Sequence, residues 1–179
     1  TRERFRALYN DYFYSRNEEL WYKNAMRKLQ VLIASTGMLA CAEDLGMLSP
    51  AVHKALGELK ILSLEVQNLP KQGEIGKPAD YPYLSVCTTS THDTETLRMW
   101  LGKRLHPLDE PLEQEGRYPD ATPEECAAVI EENLHSASLF VILPLQDWLS
   151  VSIKQRSRYP ETERINNPAN PDNYWRYRM

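Results

Sequence analysis

From Arg2 to about Leu32 apolar residues recur at three- and four-residue steps. Phe5, Leu8, Tyr9, Tyr12 and Phe13 form one stretch, and Leu20, Trp21, Ala25, Leu29 and Leu32 continue it. That period predicts one or two helices. Beyond it the pattern turns into short apolar runs. Gly37 to Ala42 opens after glycine and closes on Glu43-Asp44, as a buried parallel strand does. Ile61 to Val66, Leu84 to Thr89 and Ser138 to Leu143 read as three more strands, the last closed by Pro144. Helical signals fall between the runs. Ser49-Pro50 supplies an N-cap and a first-turn proline for a helix over Ala51 to Leu59, and a further helix follows Asp93 through Arg98, Met99, Trp100 and Leu101. Thr122-Pro123-Glu124-Glu125 is a capping box that starts a helix running to about Leu134. Leu69 to Tyr83, with three prolines and two glycines, is a loop, and the chain after Trp148 is polar and rich in turn residues.

Four apolar strands separated by helices and loops specify an α/β protein with a mainly parallel sheet, because parallel neighbours need crossover connections. In such folds chemistry gathers where strands end at their carboxyl termini. Polar residues stand at those places here. Glu43 and Asp44 follow one run, Gln67 and Asn68 another, and His92 and Asp93 a third.

Composition narrows the class. The chain has 179 residues, 42% of them hydrophobic, with 21 Lys and Arg against 25 Asp and Glu for a net charge of −4. That balance fits one folded domain, and the lack of a basic block argues against nucleic acid or an anionic membrane as partner. The longest apolar run, Leu139 to Leu145, is far too short to span a bilayer. Cys41, Cys87 and Cys126 offer no close pair, so no disulfide framework or zinc site is expected, and a reducing, cytoplasmic setting is. Cys41 and Cys87 lie in apolar runs and are expected to be buried. No phosphate-cradling glycine loop or metal-ligand cluster is present in the sequence, so neither cofactor nor metal is expected. The chain starts at Thr1 without an initiator methionine, which reads as a processed chain or a piece of a larger one.

Two carboxylates delivered by separate strands to one rim, Glu43 and Asp93, are the minimum apparatus for acid–base work on a glycosidic bond. Each has a plainer reading. Glu43-Asp44 is equally a solvated pair before a turn, Asp93 the N-cap of the next helix, His92 a hydrogen-bonded structural histidine and Gln67 a solvated loop residue. His53, His106 and His135 read as surface residues. Trp100, Trp148 and Trp175 are able to stack on sugar rings, but their positions fit core packing better.

Three stretches resemble one family. Ala42-Glu-Asp-Leu-Gly46, Ser90-Thr-His-Asp-Thr-Glu-Thr96, and Glu163-Arg-Ile-Asn-Asn-Pro168 with Tyr174-Trp-Arg176 are similar, in order and strand context, to the 4-α-glucanotransferases of the amylomaltase and disproportionating-enzyme family, glycoside hydrolase family 77. The resemblance runs from about Leu39 to Met179, with its last segment nearest the plant cytosolic disproportionating enzymes and their bacterial relatives. Ala169 departs from the pattern, since many relatives have glycine after the proline.

The resemblance implies a (β/α)8 barrel in which Glu43 is the general acid/base, Asp93 the transition-state stabiliser, and His92 a hydrogen-bond donor to the same glucose. Asn166 then contacts the donor sugar; Gln67, from its place just beyond the second strand rather than from the resemblance, is a candidate hydrogen-bonding residue lining the groove. The partners implied are α-1,4-glucans and malto-oligosaccharides, and the reaction is retaining transfer of a glucan segment. The family's aspartate nucleophile has no counterpart before Leu39, Asp11 lying in a helical pattern. It is therefore expected upstream of Thr1, and the isolated chain is expected to be inactive. A complete barrel takes about 250 residues, so this length fits a C-terminal half: a helical lead-in over 1–36, strands and helices over 37–149, and a docked tail over 150–179. Half a barrel leaves open sheet edges, which predicts self-association of the isolated piece. Two other readings stay open, a non-catalytic carbohydrate-binding or interaction module with a degenerate barrel face and an α-glucan hydrolase.

Overall fold

A computed structural model describes residues 1–46, 48–71, 76–107, 118–175 and 177–178. They fall into two compact units, Thr1–Leu64 and Glu65–Met179.

In the first unit the predicted helical stretch is two α-helices, α1 (Arg2–Asp11) and α2 (Glu18–Ala34), joined by a π-helical turn over Tyr12–Arg16. The aromatic residues set four apart meet on one face, with the Tyr9 and Phe13 ring centroids 4.7 Å apart. The third helix, α3 (Pro50–Leu59), starts where expected but is capped differently. The Ser49 hydroxyl makes no cap bond. Instead Glu18 of α2 reaches over, and its Oε2 accepts the Ala51 amide at 2.6 Å. A carboxylate there satisfies an orphan donor and meets the positive end of the helix dipole. Tyr22 and Lys54 complete the α2–α3 contact, the Tyr22 hydroxyl donating to Glu58 at 2.5 Å and the Lys54 ammonium lying 4.1 Å from the Tyr22 ring centre.

The strand expected over Gly37 to Ala42 is not regular. It reduces to one parallel bridge between Cys41 and Leu62. Met38 and Leu39 are 76% and 57% exposed, and Cys41 is exposed rather than buried. A short apolar run without a period does not say which neighbours will cover it, and here they do not.

The strands proper are β1 (Ser63–Val66), which straddles the two units, β2 (Ser85–Thr88) and β3 (Phe140–Val141), in the order β1-β2-β3. β2 and β3 run parallel, with Val86 opposite Phe140 and Cys87 opposite Val141. The second unit adds α4 (Leu97–Leu105), α5 (Pro123–Leu134) and a short helix α6 (Leu145–Leu149). The capping box at Thr122 and Glu125 forms as predicted. Leu97, Leu101, Ala121, Cys126 and Ile130 make the core, with Trp100, Val129 and Leu143 packed on it. Of the three tryptophans expected inside, Trp100 alone joins this cluster; Trp148 and Trp175 are 44% and 55% exposed.

Two features lock α4 in place. At Gly102 a Cβ would lie 2.7 Å from backbone atoms of Pro119 and Asp120, so the missing side chain lets that segment pack directly on the helix. Arg98 is 1% exposed. Its guanidinium donates to both carboxylate oxygens of Asp120, to Glu163 at 2.9 Å and to the Ser157 carbonyl at 2.9 Å. Burial raises the Glu163 carboxyl, opposed first by the Ser157 amide and then by Arg98. Such a network adds little net stability but fixes position, because removing one member strands buried charge.

Candidate functional site

The chain leaving β2 enters the interior before it emerges. Thr89 and Ser90 are buried, and their hydroxyls both donate to Oδ2 of Asp147 on α6, at 2.5 and 2.6 Å. The other oxygen of the same carboxylate accepts the Leu97 amide at 2.8 Å, at the start of α4. Asp147 thus holds both ends of the loop between β2 and α4. Burial pushes its carboxyl up, and the Ser90 and Thr89 hydroxyls and the Leu97 amide pull it back down in part. Inside the loop Thr94 accepts the Thr91 amide at 2.9 Å, and the Asn68 side chain donates to Thr94 Oγ1 at 3.1 Å and to the Glu95 carbonyl at 2.7 Å.

This frame presents His92 and Asp93 at its outer turn, their side chains 51% and 45% exposed. Asp93 does not cap α4. Thr96 is the N-cap residue, and the Asp93 carboxylate is directed elsewhere. Oδ1 accepts from the Asn166 side-chain amide at 2.6 Å, and Oδ2 lies 3.2 Å from His92 Nε2. The His92 ring is in turn 5.3 Å, centroid to centroid, from Trp175. The loop after one strand and a segment 73 residues later therefore converge on one carboxylate. Asn166 is held from its own side, since Arg164 Nε donates to its carbonyl at 2.9 Å and the Asn173 amide donates to its Oδ1 at 3.0 Å. Beside this segment lies a cleft of about 690 Å³ whose walls include Ser157, Arg164, Asn173, Tyr174 and Tyr177. The half-exposed carboxylate keeps lone pairs free for sugar hydroxyls or for positive charge developing on a bound ring.

Glu43 belongs to the first unit. Its neighbour Asp44 is 3% exposed, and Asp44 Oδ1 accepts the Leu64 amide at 2.7 Å. The turn is completed by Gly46 at φ +84°, a left-handed conformation that favours glycine. Glu43 itself is exposed. The pair is thus not two solvated acids: one member anchors the turn and the other is presented.

Gln67 differs from the other candidates. It is 4% exposed, and its Oε1 accepts a short hydrogen bond from Asn133 of α5. His53, His106 and His135 are exposed, His106 against Glu125 at 2.8 Å and His135 on the Glu131 carbonyl. Among the described residues no group of three or more His, Cys, Asp or Glu is placed to hold a metal ion, and no helix is long and apolar enough to cross a membrane. Sequence reading passed over Asp147 and Asn173, and noted Asn68 only as a polar residue beyond a strand. Pro144 followed by an acid in the first turn was a signal for α6, but nothing local tells which hydroxyls such an acid will meet.

Comparisons with known proteins agree with one another. The family model described as Glyco_hydro_77, 4-alpha-glucanotransferase, matches residues 1–179. The 4-alpha-glucanotransferase DPE2 of Oryza sativa subsp. japonica is 38% identical over 97% of the chain, and the 4-alpha-glucanotransferase of Chlamydia pneumoniae is 27% identical over 91%. The chain spans 19% of the rice protein and 32% of the chlamydial one. An amylomaltase from Streptococcus agalactiae, solved in complex with acarbose, superposes with a TM-score of 0.56 at 20% identity, covering 78% of this chain and 27% of that one. That likeness is one of fold.

Proposed function

The chain belongs to the glycoside hydrolase 77 family of 4-alpha-glucanotransferases, and from that premise we propose that it supplies two catalytic carboxylates to the transfer of α-1,4-glucan segments between malto-oligosaccharides. The relatives are three to five times longer, so the reaction is assigned to a protein in which this chain is one part. Its parallel sheet is read as the C-terminal half of a (β/α)8 barrel, and its setting as cytoplasmic.

Glu43 is the general acid/base. It protonates the departing glycosidic oxygen as the protein's nucleophile carboxylate bonds to the anomeric carbon, then as carboxylate takes the proton of the acceptor 4-hydroxyl, whose oxygen displaces that nucleophile from the anomeric carbon. Asp93 stabilises the oxocarbenium-like transition state, and His92 and Asn166 flank it against the donor glucose. The family resemblance puts the nucleophile on a strand earlier than that of Glu43, and since no acid between Thr1 and Leu39 follows a strand, we assign it to a part of the protein outside this chain. Gln67, committed to Asn133, belongs to the frame of the sheet rather than to the sugar.

The observation that carries this reading is the convergence of the neighbouring His92 and the distant Asn166 on the half-exposed Asp93 carboxylate. Its test is product analysis with maltotriose on the protein encoded by the whole reading frame. Oligomers longer than the substrate, together with glucose, are expected. Glucose and maltose alone would make the protein a hydrolase, and unchanged maltotriose would leave a binding module.

A further inference from the structure

We infer that Asn173 is a positioning residue, which holds the Asn166 amide in the one orientation that presents a donor to Asp93. The inference rests on the proposed role of Asp93 and goes beyond it.

An asparagine side chain has an oxygen that only accepts and a nitrogen that only donates, and a half-turn about its last bond exchanges them. Two fixed acceptors decide both orientations here. The Asp93 carboxylate accepts only, so Asn166 must offer it Nδ2, as it does at 2.6 Å. Oδ1 of Asn166 then faces away and needs a donor. Asn173 Nδ2 provides it at 3.0 Å. The same nitrogen also donates to the Ile165 carbonyl at 3.2 Å, a group with no donor to offer in return. That second bond fixes the orientation of Asn173 independently of Asn166. Donation therefore diverges from Asn173 Nδ2, to the Ile165 carbonyl on one side and, through Asn166, to Asp93 on the other. The turn that delivers Asn173 is built for it: the Asn170 amide donates to the Asn167 carbonyl at 2.9 Å and the Asn173 amide to the Asn170 carbonyl at 3.2 Å.

Asn173 touches no reacting atom on this view. It acts by making the reversed orientation of Asn166, oxygen against carboxylate, unfavourable at both ends. Charge then matters more than volume. Asn173→Asp keeps the shape but turns the donor into an acceptor, which draws Asn166 Nδ2 toward position 173 and leaves Oδ1 facing Asp93. Asn173→Ala removes the donor without opposing it. A residue that only fills space would give the reverse ranking.

The test uses the protein from the whole reading frame. With maltotriose, Asn173→Asp is expected to lower kcat about thirtyfold and Asn173→Ala about fivefold, with KM within twofold of the parent, as expected for loss of one donor's hold on a transition-state group. Asn166→Ala with Asn173→Ala is expected to be no worse than Asn166→Ala alone, because the second residue acts through the first. A crystal structure of Asn173→Asp at atomic resolution, where amide oxygen and nitrogen are told apart, is expected to show the Asn166 oxygen toward Asp93 and their contact lengthened. Asn173→Ala more damaging than Asn173→Asp, additive losses in the double variant, or an unturned Asn166 would each overturn the inference. Should the parent make no transfer product, the proposed function falls, and the orientation of Asn166 in the Asn173→Asp crystal still decides this one. If Asn173→Asp does not fold, the double variant alone decides it.

Discussion

Two loops present acids to solvent, and they are built in opposite ways. In the turn after Cys41 the anchor is the candidate's own neighbour: Asp44 is buried on the Leu64 amide, and Glu43 is left outside. In the loop after β2 the candidate has no such neighbour. Asp93 is exposed beside exposed His92, and the anchor is Asp147, which reaches Thr89 from 58 residues away. The first loop draws its support from the Leu64 amide, 20 residues further along the chain and within the same unit. The second depends on the packing of α6 and senses any change there.

The largest way to break that contrast is at the presented acid. Asp93→Asn in the whole protein should cut kcat on maltotriose about a thousandfold with little loss of stability, since the group is exposed and its contribution is electrostatic. Retained turnover would reduce Asp93 to a structural partner of Asn166.

Next comes the remote anchor. Asp147→Ala strands two buried hydroxyls and the Leu97 amide, and should cost about 3 kcal/mol of stability by denaturant titration together with activity. The same site has a pH signature. Burial raises this carboxyl, so the folded state binds its proton more readily than the unfolded chain does. Its contribution is fully present below the unfolded carboxyl range and is lost as pH rises through the folded value. Asp147→Asn removes that titration. The stability gap between parent and Asp147→Asn should therefore be widest at acid pH and narrow as pH rises from about 4. A gap that widens with pH would mean the hydroxyls and the amide outweigh burial.

The local anchor should matter less. Asp44→Ala loses the charge-assisted bond to the Leu64 amide, worth about 1–2 kcal/mol, and displaces Glu43 without disturbing the loop after β2. Equal damage from Asp44→Ala and Asp147→Ala would erase the distinction. The smallest effect belongs to Trp175→Ala, which removes an exposed ring from His92 and should change KM about threefold while leaving thermal stability within a degree or two.

What could be read from the chain follows the same division. Features specified within a few residues were legible: the capping box at Thr122, the entry of α3 at Pro50, the helix after Asp93, and the position of acids after apolar runs. Features that depend on a distant partner were not. Glu18 replaced Ser49 as the cap of α3, Gln67 turned inward to Asn133, and Trp148 and Trp175 stayed partly in solvent. The run Gly37 to Ala42 had the composition of a strand but formed one bridge, because ladder partners come from elsewhere in the fold. The motif resemblance bridged part of that gap, placing Asn166 beside Asp93 in function where spacing alone gave no reason to connect residues 73 apart.

The most direct test of the central claim is the maltotriose product ladder of the whole protein beside its Glu43→Gln variant, with folding checked by circular dichroism. The parent should give glucose and oligomers longer than three units, and Glu43→Gln should give neither at equal protein while remaining folded. Near-parental transfer by Glu43→Gln would contradict the assignment of the acid/base to this chain.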